Sequence, residues 1–271
     1  MSAYATATRA PRGAAIAAML NKVPEVTIFF WIIKVLATTV GETAADFLST
    51  TLHLGLTNTS YIIGAVFLVV LGAQLKARRY IPALYWSVVV LISIVGTLIS
   101  DNLTDNMGVT LTTTSAVFAG VLVVVFALWW LNERTLSVHA ITTTRRELFY
   151  WAAILFTFAL GTSAGDLMAQ ATGIGFAWCV LSFAAMIGAV ALARCGLKIN
   201  GILAFWLVYI LTRPLGASLG DLLSQPVKDG GLGFGTSLTS LAFVTTIVAL
   251  VWYLTVTGRD RLENTANAQS S

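Results

Sequence analysis

Charged residues are scarce in this sequence. Lys, Arg, Asp and Glu make up 10% of its 271 residues, against about 25% in an ordinary soluble domain. So few charges cannot cover the surface of a water-soluble globule. A soluble enzyme, a disordered regulator and a nucleic-acid binder are excluded together. Cysteine and histidine number two each, too few for a disulfide framework, and their spacing matches no zinc site. Cys179 and Cys195 stand sixteen residues apart on adjoining apolar sequence, too far along one helix for a bridge. The glycine-rich stretch Gly230-Gly231-Leu232-Gly233-Phe234-Gly235 lacks the spacing of a phosphate or dinucleotide loop.

In place of charge there are long apolar runs. Hydrophobic residues make up 57% of the chain and the mean hydropathy is +0.84. Runs long enough to cross a bilayer fall at about 26–52, 60–76, 83–106, 114–132, 147–171, 174–193, 200–225 and 236–256. Thirteen of the sixteen Lys and Arg residues lie in the two tails or in every second loop. Their groups are Arg9, Arg12 and Lys22; Lys76, Arg78 and Arg79; Arg134, Arg145 and Arg146; Arg194 and Lys198; Arg259 and Arg261. Eight spans put both termini on one side, the positive-inside rule makes that side the cytoplasm, and the net charge of +4 is read as a topology signal. The expected organisation is a tail over 1–25, a first half over 26–135, a basic linker over 136–146, a second half over 147–256 and a tail over 257–271.

One pattern recurs four times. Trp31, Trp86, Trp151 and Trp206 are each followed ten residues later by Gly41, Gly96, Gly161 or Gly216. Five residues beyond those stand Asp46, Asp101, Asp166 and Asp221. The repeat spacings of 55, 65 and 55 also divide the chain into halves displaced by 120 residues. Each repeat supplies two spans, so all four enter the membrane from one side and are related by an axis along its normal. The fold expected is all-α: eight transmembrane helices as four tandem helical hairpins, with pseudo-fourfold or pseudo-twofold symmetry. The four motif helices would surround the axis.

Helical spacing puts an oxygen-rich stripe on each motif helix. One turn before the motif Asp stand Glu42, Thr97, Thr162 and Ala217, and two turns before it Thr38, Ser93, Phe158 and Arg213. One turn after it come Thr50, Asp105, Gln170 and Gln225. Gly41, Gly96, Gly161, Gly165, Gly216 and Gly220 keep step with the stripe, a small-xxx-small spacing that lets helices approach closely. The repeated Trp residues are read as interface anchors.

The acids call for a chemical explanation. An ionised Asp at the centre of a spanning helix costs about 2.5–3.5 kcal/mol on insertion scales. Glu42, Asp46, Asp101, Asp105, Asp166 and Asp221 lie on the stripes, opposed inside the spans only by Lys34 and Arg213. These six acids are read as a cation-binding or translocation path, with Lys34 and Arg213 as internal counter-ions. Oxygen ligands without paired His or Cys favour hard cations such as Mg²⁺, Ca²⁺ or Mn²⁺. A bound divalent cation is compatible with the stripes; no organic cofactor is expected.

The stretches Lys34-Val35-Leu36-Ala37-Thr38-Thr39-Val40-Gly41-Glu42-Thr43-Ala44-Ala45-Asp46, Gly161-Thr162-Ser163-Ala164-Gly165-Asp166 and Thr212-Arg213-Pro214-Leu215-Gly216-Ala217-Ser218-Leu219-Gly220-Asp221 carry a family resemblance. The chain resembles bacterial integral-membrane proteins with four tandem two-helix repeats of unknown function, each with a characteristic tryptophan. The resemblance spans about residues 28–256. It implies the architecture and a bacterial inner-membrane location, and brings no mechanism.

The function expected from the residues is cation transport, as an exporter of divalent metal ions exchanging with protons. The alternative is a proton-coupled carrier of a small organic cation, which requires an aromatic-lined interior. A more distant one is an intramembrane aspartyl protease. Gly165-Asp166, Gly220-Asp221 and Pro82-Ala83-Leu84 resemble fragments of the presenilin-type motifs. However, Ser163 and Ser218 replace the leading glycine, and no Tyr-Asp pair exists. The expected reading is therefore not an enzyme. The expected partners are the lipid bilayer, the cation and protons; a homodimer is compatible with the sequence, and nucleic acid is not a partner.

Overall fold

The computed structural model describes residues 21–173 and 175–260. Most of both expected tails lies outside them. Among the described residues eight helices are each long and apolar enough to cross a membrane. They are α1 (Ile28–Asp46), α2 (Leu56–Lys76), α3 (Pro82–Asp101), α4 (Leu111–Glu133), α5 (Thr144–Thr172), α6 (Phe176–Gly196), α7 (Gly201–Ser224) and α8 (Thr236–Thr257). No strand occurs among the described residues. The protein is an all-α, multi-pass membrane protein.

Local chemistry sets the helix starts. The side chains of Thr27, Thr143 and Asn200 accept bonds from the first free N–H groups of α1, α5 and α7. Pro82 opens α3, where it has no N–H to lose. The helices α2, α6 and α8 start instead from Gly55, Gly175 and Gly235, at φ 74°, 78° and 77°. A side chain would be strained there. Pro214 lies inside α7, which nevertheless runs on to Ser224.

The motif helices α1, α3, α5 and α7 form a closed inner ring, each packed on the next and α7 on α1. Half or more of each inner span is buried, whereas α2, α4, α6 and α8 are mostly exposed and form the lipid-facing layer. Each repeat thus contributes one inner and one outer helix. The outer helix, however, packs chiefly on the inner helix of the following repeat: α2 on α3, α4 on α5, α6 on α7, and α8 back on α1. The repeats are interlocked around the axis, and the last closes on the first.

The motif glycines show how the ring closes. A methyl group added at Gly41 would lie 1.9 Å from Ser93 Oγ, and one at Gly96 2.5 Å from Phe158 Cβ. At Gly161 it would meet Arg213 Cγ at 2.2 Å, and at Gly216 Thr38 Oγ1 at 1.9 Å. In all four interfaces the glycine receives the residue two turns before the next helix's Asp. A single contact is repeated four times, which makes the ring pseudo-fourfold. Gly165 and Gly220 make looser contacts, with Pro214 and with Glu42 and Thr43.

Both described chain ends are clasped at the same end of the ring. Lys22 is paired with Glu147 at 2.7 Å, and Gln74 donates to the other carboxylate oxygen at 3.0 Å. Glu25 N–H donates to the carbonyl of Asp260, whose carboxylate accepts from Tyr80. Burial and the neighbouring Asp260 charge push the Tyr80 hydroxyl pKa well up.

Candidate functional site

The interior of the ring is layered along its axis. At the termini end it is filled with aromatic rings. Trp86, Trp151 and Trp206 are 2%, 3% and 4% exposed, and Trp31 is half-buried. They pack with Phe30, Tyr85, Tyr150, Phe205 and Tyr209. The tyrosine hydroxyls of Tyr85 and Tyr150 bond to each other at 2.5 Å. The expectation that the repeated Trp residues anchor the protein at the lipid interface is therefore corrected. Three of the four are buried within the protein, Trp86 and Trp151 against neighbouring inner-helix aromatics and Trp206 also against Phe126 and Trp129 of the outer helix α4. Trp206 satisfies its indole N–H on the carbonyl of Leu136.

Below this layer sits Lys34. Its side chain is fully buried, and its Nζ has no hydrogen-bond partner among the described residues. The nitrogen lies 4.2 Å from the ring centroid of Tyr209 and 4.3 Å from that of Phe158. Lys34 belongs to α1 and Phe158 to α5, which are not adjacent in the ring. The amine thus reaches across the axis. Lys34 is no counter-ion of the acid stripe. It stands three turns before Asp46, at the depth where the ring is aromatic.

The next layer is built around Arg213, also fully buried. Its Nη2 donates to Glu42 Oε2 at 3.1 Å, to Thr162 Oγ1 at 2.7 Å and to Thr97 Oγ1. Its Nη1 donates to the carbonyl of Thr38 at 2.8 Å. Glu42 also accepts from Thr97 at 3.4 Å. All four inner helices meet at this guanidinium. Glu42, Thr97 and Thr162 occupy the same repeat position on three of them, and α7 carries Ala217 there. Arg213 fills that opening from one turn above. Together they form a polar lock across the axis.

Beyond the lock lie the four motif acids. Asp46, Asp101, Asp166 and Asp221 are partly exposed. Asp101 and Asp221 each lie within electrostatic reach of Glu42, Asp166 and Asp46, and Asp221 is hydrogen-bonded to Gln225. Asp166 feels Arg213 as well. Directly after Asp46 and Asp101 the helices widen into π-helical turns, Phe47–Thr51 and Asn102–Asn106, a distortion often found at functional sites. Thr50, Asp105 and Gln170 on the following turn are exposed. Asp105 therefore stands at the exposed end, its carboxylate accepting from Thr104. Burial falls continuously from Arg213 to this open end.

The six acids are thus not equivalent. Glu42 belongs to the lock, the four motif Asp residues cluster beyond it and are partly exposed, and Asp105 lies in the exposed turn that follows. Among the described residues no three of His, Cys, Asp and Glu come together as a metal ion requires. Not foreseen from the sequence is the aromatic seat of Lys34. The shared position of Lys34 and Tyr209, three residues after their Trp, was the available signal. The clasp on Glu147 was likewise legible only as one more acid at the edge of a span.

A family described as "Repeat of Unknown Function (DUF347)" matches at residues 29–80, 84–135, 149–199 and 204–260. The matches coincide with the four repeats. Comparison with curated proteins and with solved structures found no match.

Proposed function

The chain belongs to this family of four-repeat membrane proteins, and we propose that it transports cations along the axis of its inner ring. The observation that carries this reading is the order of residues along the inner ring: a cluster of four partly exposed motif acids next to a buried Glu42–Arg213 pair. Four carboxylates in apolar surroundings attract cations and repel anions. Next to the cluster, Arg213 holds Glu42 in a bond that an arriving cation can replace. The guanidinium then stands in for the substrate when the carrier is empty, which spares it an uncompensated buried carboxylate. Protons serve as the exchanging ion on the remaining acids.

The absence of a three-ligand cluster among the described residues weighs against a metal ion stripped of its water. The acid cluster suits a cation that keeps its own shell or carries apolar groups. Proteolysis has less support, since Pro82 starts α3 at the end opposite Asp101. The termini end is proposed to face the cytoplasm of a bacterial inner membrane, on the strength of its basic loops.

The test is flux into proteoliposomes over a panel of inorganic and alkylammonium cations, with and without a pH gradient. Transport of at least one cation, accelerated by an opposing proton gradient, is expected. Failure to move any of them above protein-free liposomes overturns the reading.

A further inference from the structure

We infer that the aromatic layer on the axis is an ammonium-binding site, occupied at rest by the protein's own Lys34, and that the cation carried is an organic ammonium. This rests on the proposal that the protein transports cations and adds the class of substrate.

A fully buried amine normally finds an acid or a carbonyl, because leaving it without a partner costs several kcal/mol. Lys34 has neither among the described residues, although Glu42 lies two turns along the same helix. Its Nζ sits instead between the ring faces of Phe158 and Tyr209, at 4.3 and 4.2 Å. Aromatic faces hold ammonium groups through the ring quadrupole, and the arrangement recurs wherever proteins recognise alkylated ammonium ligands. It offers little to a hydrated metal ion, which needs oxygen ligands.

Two further features fit a site built for an exchangeable guest. The hydroxyl of Tyr209 is buried without a partner among the described residues, so the seat keeps a polar group unused by Lys34. Phe158 also lies 5.6 Å from the Arg213 guanidinium carbon. One ring thus separates the lock from the lysine seat. A cation released from Glu42 therefore meets Phe158 next. When an ammonium guest enters, Lys34 is displaced toward the termini end, and when the guest leaves, Lys34 returns. The site is never emptied to bare hydrocarbon.

The test uses the full-length protein carrying Lys34→Ala. This truncation removes three carbons and the nitrogen, the outline of n-propylammonium. Binding of n-propylammonium is measured by calorimetry and by its effect on thermal stability, with n-propanol as the neutral match. The ammonium is expected to bind at least about tenfold more tightly than the alcohol, and Phe158→Leu in the same background should remove most of that preference. Equal binding of the two probes, or a preference untouched by Phe158→Leu, overturns the inference. Should Lys34→Ala not fold, the wild-type flux ratio of methylammonium to potassium is read with and without Phe158→Leu. A fall in the ratio supports the inference and an unchanged ratio overturns it. Wild-type flux of inorganic cations without alkylammonium flux would leave the transport reading standing and this one refuted. No flux of either would remove both.

Discussion

Breaking the Glu42–Arg213 pair should expose how far the ring depends on its lock. Arg213 is wholly buried, Glu42 is 7% exposed, and the pair closes at 3.1 Å. Glu42→Gln leaves the guanidinium with Thr38, Thr97 and Thr162 as acceptors but no opposing charge. Arg213→Met removes every bond that holds the Glu42 carboxylate except the one at 3.4 Å from Thr97. Removing one partner of a buried ion pair typically costs about 3–5 kcal/mol, whereas replacing both is often close to neutral. Each single variant should therefore be destabilised on that scale. The double variant should recover at least about 2 kcal/mol of the summed losses, the size of coupling seen between contacting residues. Reversible unfolding in mixed micelles, followed by tryptophan fluorescence, measures all three. Losses that add to within about 0.5 kcal/mol would refute the pairing.

Three other perturbations reach the rest of the structure. Gly96→Ala and Gly161→Ala should each cost about 1–3 kcal/mol through overpacking, since the new methyl lands 2.5 and 2.2 Å from the next helix. Gly64→Ala, with nothing within 4 Å, should not destabilise, and equal effects at all three would contradict the interlocked ring. Glu147→Ala should cost about 3–5 kcal/mol by stranding the Lys22 ammonium, with Lys22→Met/Glu147→Met largely restoring stability; an unchanged melting temperature for Glu147→Ala would dissolve the clasp. For topology, the exposed Cys195 should react with an impermeant thiol reagent from the cytoplasmic side only. A cysteine at Asn58 in a Cys195→Ser background should react from outside only, and labelling of both from one side would exclude the eight-span arrangement.

How much of this was legible in the sequence depends on the distance over which each feature acts. The spans, the two-helix repeat and the stripes follow from hydropathy and helical period, which are local. The repeat leaves fourfold and twofold arrangements open; the same glycine contact at all four inner interfaces decides for the ring. What hydropathy could not assign was direction within the ring. Trp86 and Trp151 look like interface residues by type and depth, yet packing on neighbouring inner-helix aromatics buries them. Lys34 and Arg213 are alike as intramembrane cations, and both lie on the axis. One turn of helix decides that Arg213 meets Glu42 while Lys34 meets aromatic rings. The packing of each outer helix on the following repeat left no local trace, because helices such as α2 and α6 carry apolar residues on every side and no single stripe marks the packed face.

The central claim is that cations cross along this axis, and charge movement tests it most directly. Proteoliposomes adsorbed on a solid-supported membrane, given a step in methylammonium or in an inorganic cation, report a transient current if the protein carries that ion. Wild-type protein should give a current with at least one cation, and Asp166→Asn should abolish it without loss of folded protein, since neutralising one of four clustered acids relieves repulsion. A wild-type current that persists unchanged in Asp166→Asn, or none for any cation, would contradict the account.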